Sequence, residues 1–130
     1  MKIEIAIPSR RVADLMTTAM ESGDPVTTAA RGGWCHSITK RRRTRKAHSS
    51  PWYADPRYFE GPFAFDVVEY HEENDTVTYH RINAPRVRDG LHLMAMKFPF
   101  QFAQILTDEI DAPCADIFLQ CVVFGDEKYA

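Results

Sequence analysis

Long apolar runs are missing from this sequence of 130 residues. The longest candidate, "DIFLQCVVFG", has half of the roughly 20 residues that a membrane-spanning helix needs. The N-terminal stretch "MKIEIAIPSRR" also lacks the uninterrupted apolar segment of a secretory signal peptide. We therefore predict a cytoplasmic protein that does not insert into a membrane.

Motifs that name a reaction are absent as well. The sequence contains no P-loop, GxGxxG, GxSxG or HExxH pattern. Cys35 lies beside a glycine pair and near cations that favour a thiolate, which makes it the candidate nucleophile. Its base would be His36, His48 or His80. Because the spacing does not require this arrangement, we assign no catalytic residue and no cofactor.

Cysteine is scarce, and metal-ligand spacing is absent. The three cysteines form an odd count without a disulfide framework. Cys114 and Cys121 lie two helical turns apart, so they are expected to share a helix face as packing thiols. The five histidines never follow H-x3-H spacing. Glu69, His71 and His80 would converge on a hairpin, and the alternative is that these histidines are ordinary surface residues; no metal site is predicted.

Whole segments lack charge of one sign, although the formal net charge is only -2. Between Glu60 and His80 there are six acids and no Lys or Arg. Between Asp108 and Ala130 there are six acids and a single cation. The segment from Ser9 to Ser50 instead carries nine Lys or Arg and three acids. We expect a dipolar molecule, in which each like-signed patch attracts partners of opposite charge.

The most concentrated charge is the run "KRRRTRK", with six cations in seven positions. Three interpretations are open: it contacts the phosphates of a nucleic acid, it makes forked hydrogen bonds to carboxylates of an acidic protein, or it is a hydrated loop. Aromatic residues that follow the run are candidate anchors for a partner. The predicted partner-binding residues are Lys40, Arg41, Arg42, Arg43, Arg45, Lys46, Trp52 and Tyr53.

The first half of the chain predicts a strand, a helix and a long loop. "KIEIAI" alternates apolar and polar residues, which is typical of a strand. Ser9 is the predicted N-cap of a helix over "RRVADLMTTAMESG", and Gly23 ends it. "HSIT" is a candidate short strand. Residues 40–62 hold the basic run and then three prolines among four aromatics, which indicates a long loop with hydrophobic anchors.

The second half predicts a hairpin and helices. Two β-rich runs flank "EEND", which indicates an antiparallel hairpin. With "ND" as a two-residue turn, Tyr70 faces Tyr79 and Glu69 faces His80. Asn83 caps the next helix, which Pro99 interrupts. A third segment runs from Pro113 to Gly125 as a buried helix or a buried strand, and its length favours a helix. The residues "EKY" are a candidate last strand.

Five large apolar residues occupy alternate positions between Met94 and Phe102. A helix cannot bury alternate positions on one face. Either some of them are exposed as a partner surface, or a kink at Pro99 rotates all of them inward, which is the alternative we favour.

Together these elements predict one α+β domain over residues 1–130. Its small antiparallel sheet, an N-terminal strand plus the hairpin, packs against an N-terminal helix and C-terminal helices. The basic and aromatic loop at about 40–62 is an insertion into this scheme.

Three strings resemble a known group of proteins. "RVADL" at Arg11–Leu15, "GLHLMAMKFPFQFA" at Gly90–Ala103 and "DIFLQCVVFG" at Asp116–Gly125 are similar to strings in small accessory proteins of bacteriophages and prophages. That group has no assigned activity, so the resemblance implies no catalytic residues. Its members usually join the two ends by a shorter, less basic segment, so residues 40–60 look particular to this chain.

The resemblance, the absence of a catalytic motif and the Arg-rich run together predict a non-enzymatic protein that inhibits a host component in the bacterial cytoplasm, in the manner of an anti-CRISPR protein. The implied partner is a host protein or ribonucleoprotein with an acidic surface. The alternative is a small nucleic-acid-binding protein that uses the same loop.

Overall fold

The computed structural model describes residues 6–21, 34, 36–39 and 51–129. Its helices are α1 (Ser9–Glu21), α2 (Ala84–Lys97), α3 (Pro99–Leu106) and α4 (Ala112–Phe124). Its strands are β1 (His36–Thr39), β2 (Ala64–His71) and β3 (Thr76–Asn83). Two short 3-10 turns, Trp52–Ala54 and Pro56–Phe59, precede β2. The fold is α+β, as predicted.

The three strands form one antiparallel sheet in the order β1-β2-β3. The predicted hairpin is confirmed as β2 and β3, and the "HSIT" segment is confirmed as β1. The predicted N-terminal strand begins among residues 1–5, which lie outside the described part of the chain. Its last two residues, Ala6 and Ile7, form no strand and lead directly into α1.

The predicted hairpin register is wrong by two residues. Tyr70 pairs with Val77, and Glu69 pairs with Thr78. The turn comprises the four residues 72–75 rather than two, and Asp75 at its end adopts the left-handed conformation with φ 54°. Because a shift by two positions preserves the face of every side chain, the core and outer faces of the hairpin are still those that the alternation predicts.

Helix boundaries follow side-chain caps and prolines. The Asn83 side chain accepts a hydrogen bond from the Arg86 backbone N–H at 3.0 Å and caps α2, as predicted. Asp111 accepts from the Cys114 backbone N–H at 2.9 Å and caps α4 in the same way. Gly125 ends α4 with φ 75°, a conformation that glycine adopts without strain. The third segment is therefore a helix. No strand follows it in residues 126–129, so the prediction for "EKY" is wrong.

Helix α4 is the central element of the core. It packs against α1, α2 and α3, and nine of its 13 residues are buried. A glycine permits its close contact with α2, because a Cβ atom at Gly90 would lie 2.6 Å from Val122 Cγ2. The two helices can approach this closely only while position 90 has no side chain.

The Met/Phe alternation is divided between the core and the surface. Met94 and Phe102 are buried, whereas Met96 and Phe100 are 70% and 78% exposed. The favoured prediction that Pro99 rotates all five residues inward is therefore wrong. Pro99 begins α3 after a one-residue break. Helix α3 therefore has an apolar stripe of its own, and the break does not turn the exposed side chains towards the core.

The aromatic loop that precedes β2 is part of the core. Tyr58 is fully buried, and its hydroxyl donates to the Ala64 carbonyl at 2.6 Å. Phe59 and Phe63 are buried beside it, with ring centroids 5.1 Å apart. The predicted hydrophobic anchors of this segment are therefore confirmed, and they hold it against α1.

Candidate functional site

The hairpin brings Glu69, His71 and His80 together, as the sequence suggested. Glu69 is 2% exposed, and its Oε1 lies 3.0 Å from His80 Nε2. These two residues are diagonal neighbours in the observed register, which explains why the contact exists although the predicted pairing is wrong. His71 Nε2 lies 3.9 Å from the same oxygen and 2.7 Å from Thr78 Oγ1, so its closer partner is the threonine.

The C-terminal tail completes the surroundings of this carboxylate. Lys128 Nζ lies 3.0 Å from Glu69 Oε2, and the Tyr129 hydroxyl donates a hydrogen bond to the same oxygen. Both partners come from about 60 positions away in the sequence. We call Glu69 with His80, Lys128 and Tyr129 the Glu69 centre.

Electrostatics keep this carboxylate charged. Burial alone would raise the pKa of Glu69, but hydrogen bonds from Tyr129, His80 and Lys128, together with the Lys128 charge, lower it to about 2. The same contacts raise the pKa of Lys128. At neutral pH the Glu69 centre is therefore a stable ion pair with additional hydrogen bonds, and not a proton donor.

Gln120 fixes the backbone of the tail. Its Oε1 accepts hydrogen bonds from the backbone N–H groups of Lys128 at 2.8 Å and Tyr129 at 2.7 Å. Its Nε2 donates to the Tyr129 carbonyl at 2.9 Å and to Asp116 Oδ2 at 2.8 Å. The fully buried amide thus satisfies three backbone groups that have no helix or sheet to pair with.

Trp34 and His36 cover the other side of the centre. Trp34 stacks on Tyr129 with ring centroids 5.7 Å apart, and its Nε1 donates to Asp116 at 2.8 Å. His36 lies 4.3 Å from the Trp34 ring and opposite Glu69 in the sheet. Burial lowers the pKa of His36, although the nearby Asp116 charge opposes this. The imidazole is therefore neutral at pH 7, and its buried Nδ1 has no hydrogen-bond partner within the described residues.

This arrangement acts as an anchor. Both oxygens of Glu69 are engaged by protein donors, so the carboxylate joins β2, β3 and the tail at one point. Sequence reasoning identified Glu69 and His80 but missed Lys128, Tyr129 and Gln120. A signal for Gln120 was available, because it is the one amide in a stretch that leaves almost no polar face.

No group of three or more His, Cys, Asp or Glu residues in the described part of the chain has the arrangement of a metal site. Cys114 and Cys121 are buried, and burial raises the pKa of each thiol to about 11. The prediction that these two are packing thiols is confirmed. Cys35 and His48 lie outside the described residues.

The predicted partner-binding run, Lys40–Lys46, also lies outside the described residues, but the point where it leaves the sheet is defined. Thr39, the last residue of β1, pairs with Asp66 near the start of β2. The acidic hairpin turn lies at the opposite end of the same strand, six residues or about 20 Å beyond Asp66. Thr39, which precedes Lys40 in the sequence, is therefore far from that turn.

The two predicted aromatic anchors are partly buried. The Trp52 ring lies 4.6 Å from Tyr58 and 5.6 Å from Phe65. The Tyr53 hydroxyl donates to Glu21 at 3.2 Å. Both rings therefore pack against the fold, and their role in binding a partner stays a prediction.

Comparison with known proteins adds no relative: no family model, no curated protein and no solved structure matches this chain. Among the described helices, none is long and apolar enough to cross a membrane.

Proposed function

We propose that this protein is a phage-type accessory protein that binds an acidic surface of a host component in the bacterial cytoplasm and inhibits it, in the manner of an anti-CRISPR protein. The basic run Lys40–Lys46 makes the electrostatic contact. Trp52 and Tyr53, which keep part of their surface exposed, provide apolar contact beside it.

The observation that carries the proposal is the pairing of Thr39 with Asp66. It places Thr39, the residue before the run, about 20 Å along β2 from the acidic turn, where Glu72, Glu73 and Asp75 are all exposed. The Debye length at physiological ionic strength is about 8 Å. Those carboxylates are therefore screened from the end of β1 at Thr39, which supports a role for the basic run in binding a partner on a molecule that is slightly acidic overall.

The Glu69 centre supports the same proposal from another direction. Its carboxylate is charged and fully engaged by internal donors, so its physical role is to hold the tail and the sheet together. It joins β2, the strand that pairs with Thr39, to β3 and the tail. A rigid base lowers the entropy that is lost when a partner binds.

The test compares the full-length chain with a variant in which Arg41, Arg42, Arg43 and Arg45 are replaced by glutamine. The matched control is Arg10→Gln, since Arg10 is an exposed arginine with no hydrogen bond or ion pair to any described residue. Tagged proteins are used to capture partners from a bacterial lysate before and after nuclease treatment. The association rate of each identified partner is then measured against salt concentration.

We expect to capture a partner whose binding is unaffected by nuclease treatment. At low salt this partner should associate with the variant that carries the four substitutions at least about tenfold more slowly than with wild type, because rim charges act mainly on the association rate. The melting temperatures should agree with each other and with that of Arg10→Gln. Loss of the partner after nuclease treatment would favour the nucleic-acid alternative. Equal association rates for wild type and variant would mean that the run is only hydrated.

A further inference from the structure

The molecule also has an apolar groove, whose lining residues are mostly uncharged. It has a volume of about 520 Å³, within the range of about 300–1,000 Å³ that is usual for small-molecule sites. Its walls are formed by helices α1, α2 and α3, by the segment before β2, and by Ala6 and Ile7, which precede α1. Six nearly buried side chains line it: Val12, Phe59, Phe63, Val87, Leu91 and Phe102.

Helix α2 provides one complete wall of the groove. Its contributing residues follow helical spacing from Ala84 through Val87 and Leu91 to Ala95, so they form one stripe about 16 Å long. Another face of the same helix contacts α4 through Gly90. The apolar stripe of α2 is therefore separate from the face that contacts α4. Because the stripe follows the helix axis, it lines the groove along its length.

The two titratable side chains among the described lining residues are both basic. Arg88 and His92 lie one helical turn apart on α2, and both are exposed members of the lining. No acidic residue belongs to the lining that the described part of the chain provides. Neither side chain makes a hydrogen bond or ion pair to any described residue, so their donors are available to a ligand. A guanidinium presents forked donors that match a carboxylate, and an imidazole one turn away adds another.

We propose that this groove binds an elongated apolar molecule that ends in a carboxylate, of the fatty-acid type. The apolar body lies along Val87, Leu91 and Phe102, and the carboxylate is held by Arg88 and His92 at the rim. An open groove of this volume fits a single small molecule. A peptide helix would need a much larger contact, since stable protein interfaces bury about 800 Å² on each partner.

The experiment uses the full-length chain, with dodecanoate as the probe and dodecanol as its uncharged analogue. Binding is measured by calorimetry, and the site is located by the methyl NMR shifts of Val12, Val87 and Leu91. Arg88→Gln tests the carboxylate contact, with Arg10→Gln as the control for loss of an exposed helical arginine elsewhere. Ala95→Trp fills the groove.

We expect saturable binding of one dodecanoate per chain, with shifts confined to the groove methyl groups. Arg88→Gln should weaken dodecanoate binding by about tenfold, because a charge-assisted hydrogen bond is lost, and should change dodecanol binding by less than twofold. Arg10→Gln should leave both unchanged, and Ala95→Trp should abolish both.

Failure of dodecanoate to saturate a site, shifts at methyl groups elsewhere, or an equal loss of dodecanol and dodecanoate binding in Arg88→Gln would each overturn the proposal. If Ala95→Trp does not fold, the Arg88→Gln comparison still decides. These outcomes are independent of the basic run, so they do not depend on the function proposed above.

Discussion

The replacement of Glu69 by glutamine tests the anchor directly. Glutamine keeps the size of the side chain but removes the charge that faces Lys128 and His80. The change leaves donors without a charged acceptor, although Lys128 is half exposed and can turn to water. Because hydrogen bonds to charged groups contribute about 1.5–3 kcal/mol, we expect the free energy of unfolding at pH 7 to fall by about 2 kcal/mol.

The pH dependence gives a second, independent measure of the same contact. The pKa of Glu69 is lowered in the folded protein from its ordinary 4.5 to about 2. A shift of that size corresponds to at most about 3 kcal/mol. The sign follows from linkage: the stabilisation is present above the unfolded-state pKa and is lost as the pH falls from about 4.5 towards 2. Protonation of Glu69 and its replacement by glutamine should therefore have similar effects.

The assay is urea unfolding followed by tryptophan fluorescence, at pH 7 and in steps down to pH 3. Glu73→Gln is the matched control, since Glu73 lies in the exposed turn of the same hairpin and its side chain makes no hydrogen bond or ion pair with the described residues. The control should agree with wild type within about 0.5 kcal/mol. Equal stability of the two variants at pH 7, or an unchanged pH dependence in Glu69→Gln, would refute the reasoning.

Two further predictions concern the core. Gly90→Ala should lower the free energy of unfolding, measured by thermal denaturation, by about 1–3 kcal/mol. Its Cβ would lie 2.8 Å from the Val122 backbone, which cannot move aside as a flexible side chain can. A neutral or stabilising effect would mean that α2 and α4 separate easily. Cys114 and Cys121 should resist alkylation in the native protein at pH 8 and react only on unfolding, because both are buried and have a pKa of about 11; mass spectrometry that finds either of them labelled under native conditions would contradict this.

Local signals predicted most of the fold. Asn83 as a cap, Pro99 as an interruption and Gly125 as a terminator act on neighbouring backbone groups, so the sequence around each one is sufficient to identify it. The hairpin strands followed from alternation in the same way. The class of the fold, α+β, depends only on the order of such elements.

Long-range contacts determine the structural features that local sequence signals could not predict. The hairpin register depends on a four-residue turn with Asp75 in the left-handed conformation, and a two-residue turn is equally compatible with the sequence. The Glu69 centre depends on Lys128 and Tyr129, about 60 positions away in the chain, and no periodicity connects them to β2. For the same reason the exposure of Phe100 was missed, since it depends on where α3 packs and not on the spacing of its residues.

The contacts of Trp34 with Asp116 and Tyr129 help to explain why β1, a strand of only four residues, keeps its register. A slip by one residue would turn His36 and Ile38 to the outer face and bring Ser37 opposite the buried carboxylate. It would also pull Trp34 away from Asp116 and from its stacking on Tyr129. A slip would therefore lose these contacts as well as the burial of Ile38 against the core. Thr39 ends β1, so the same contacts also fix the position of the last described residue before the basic run.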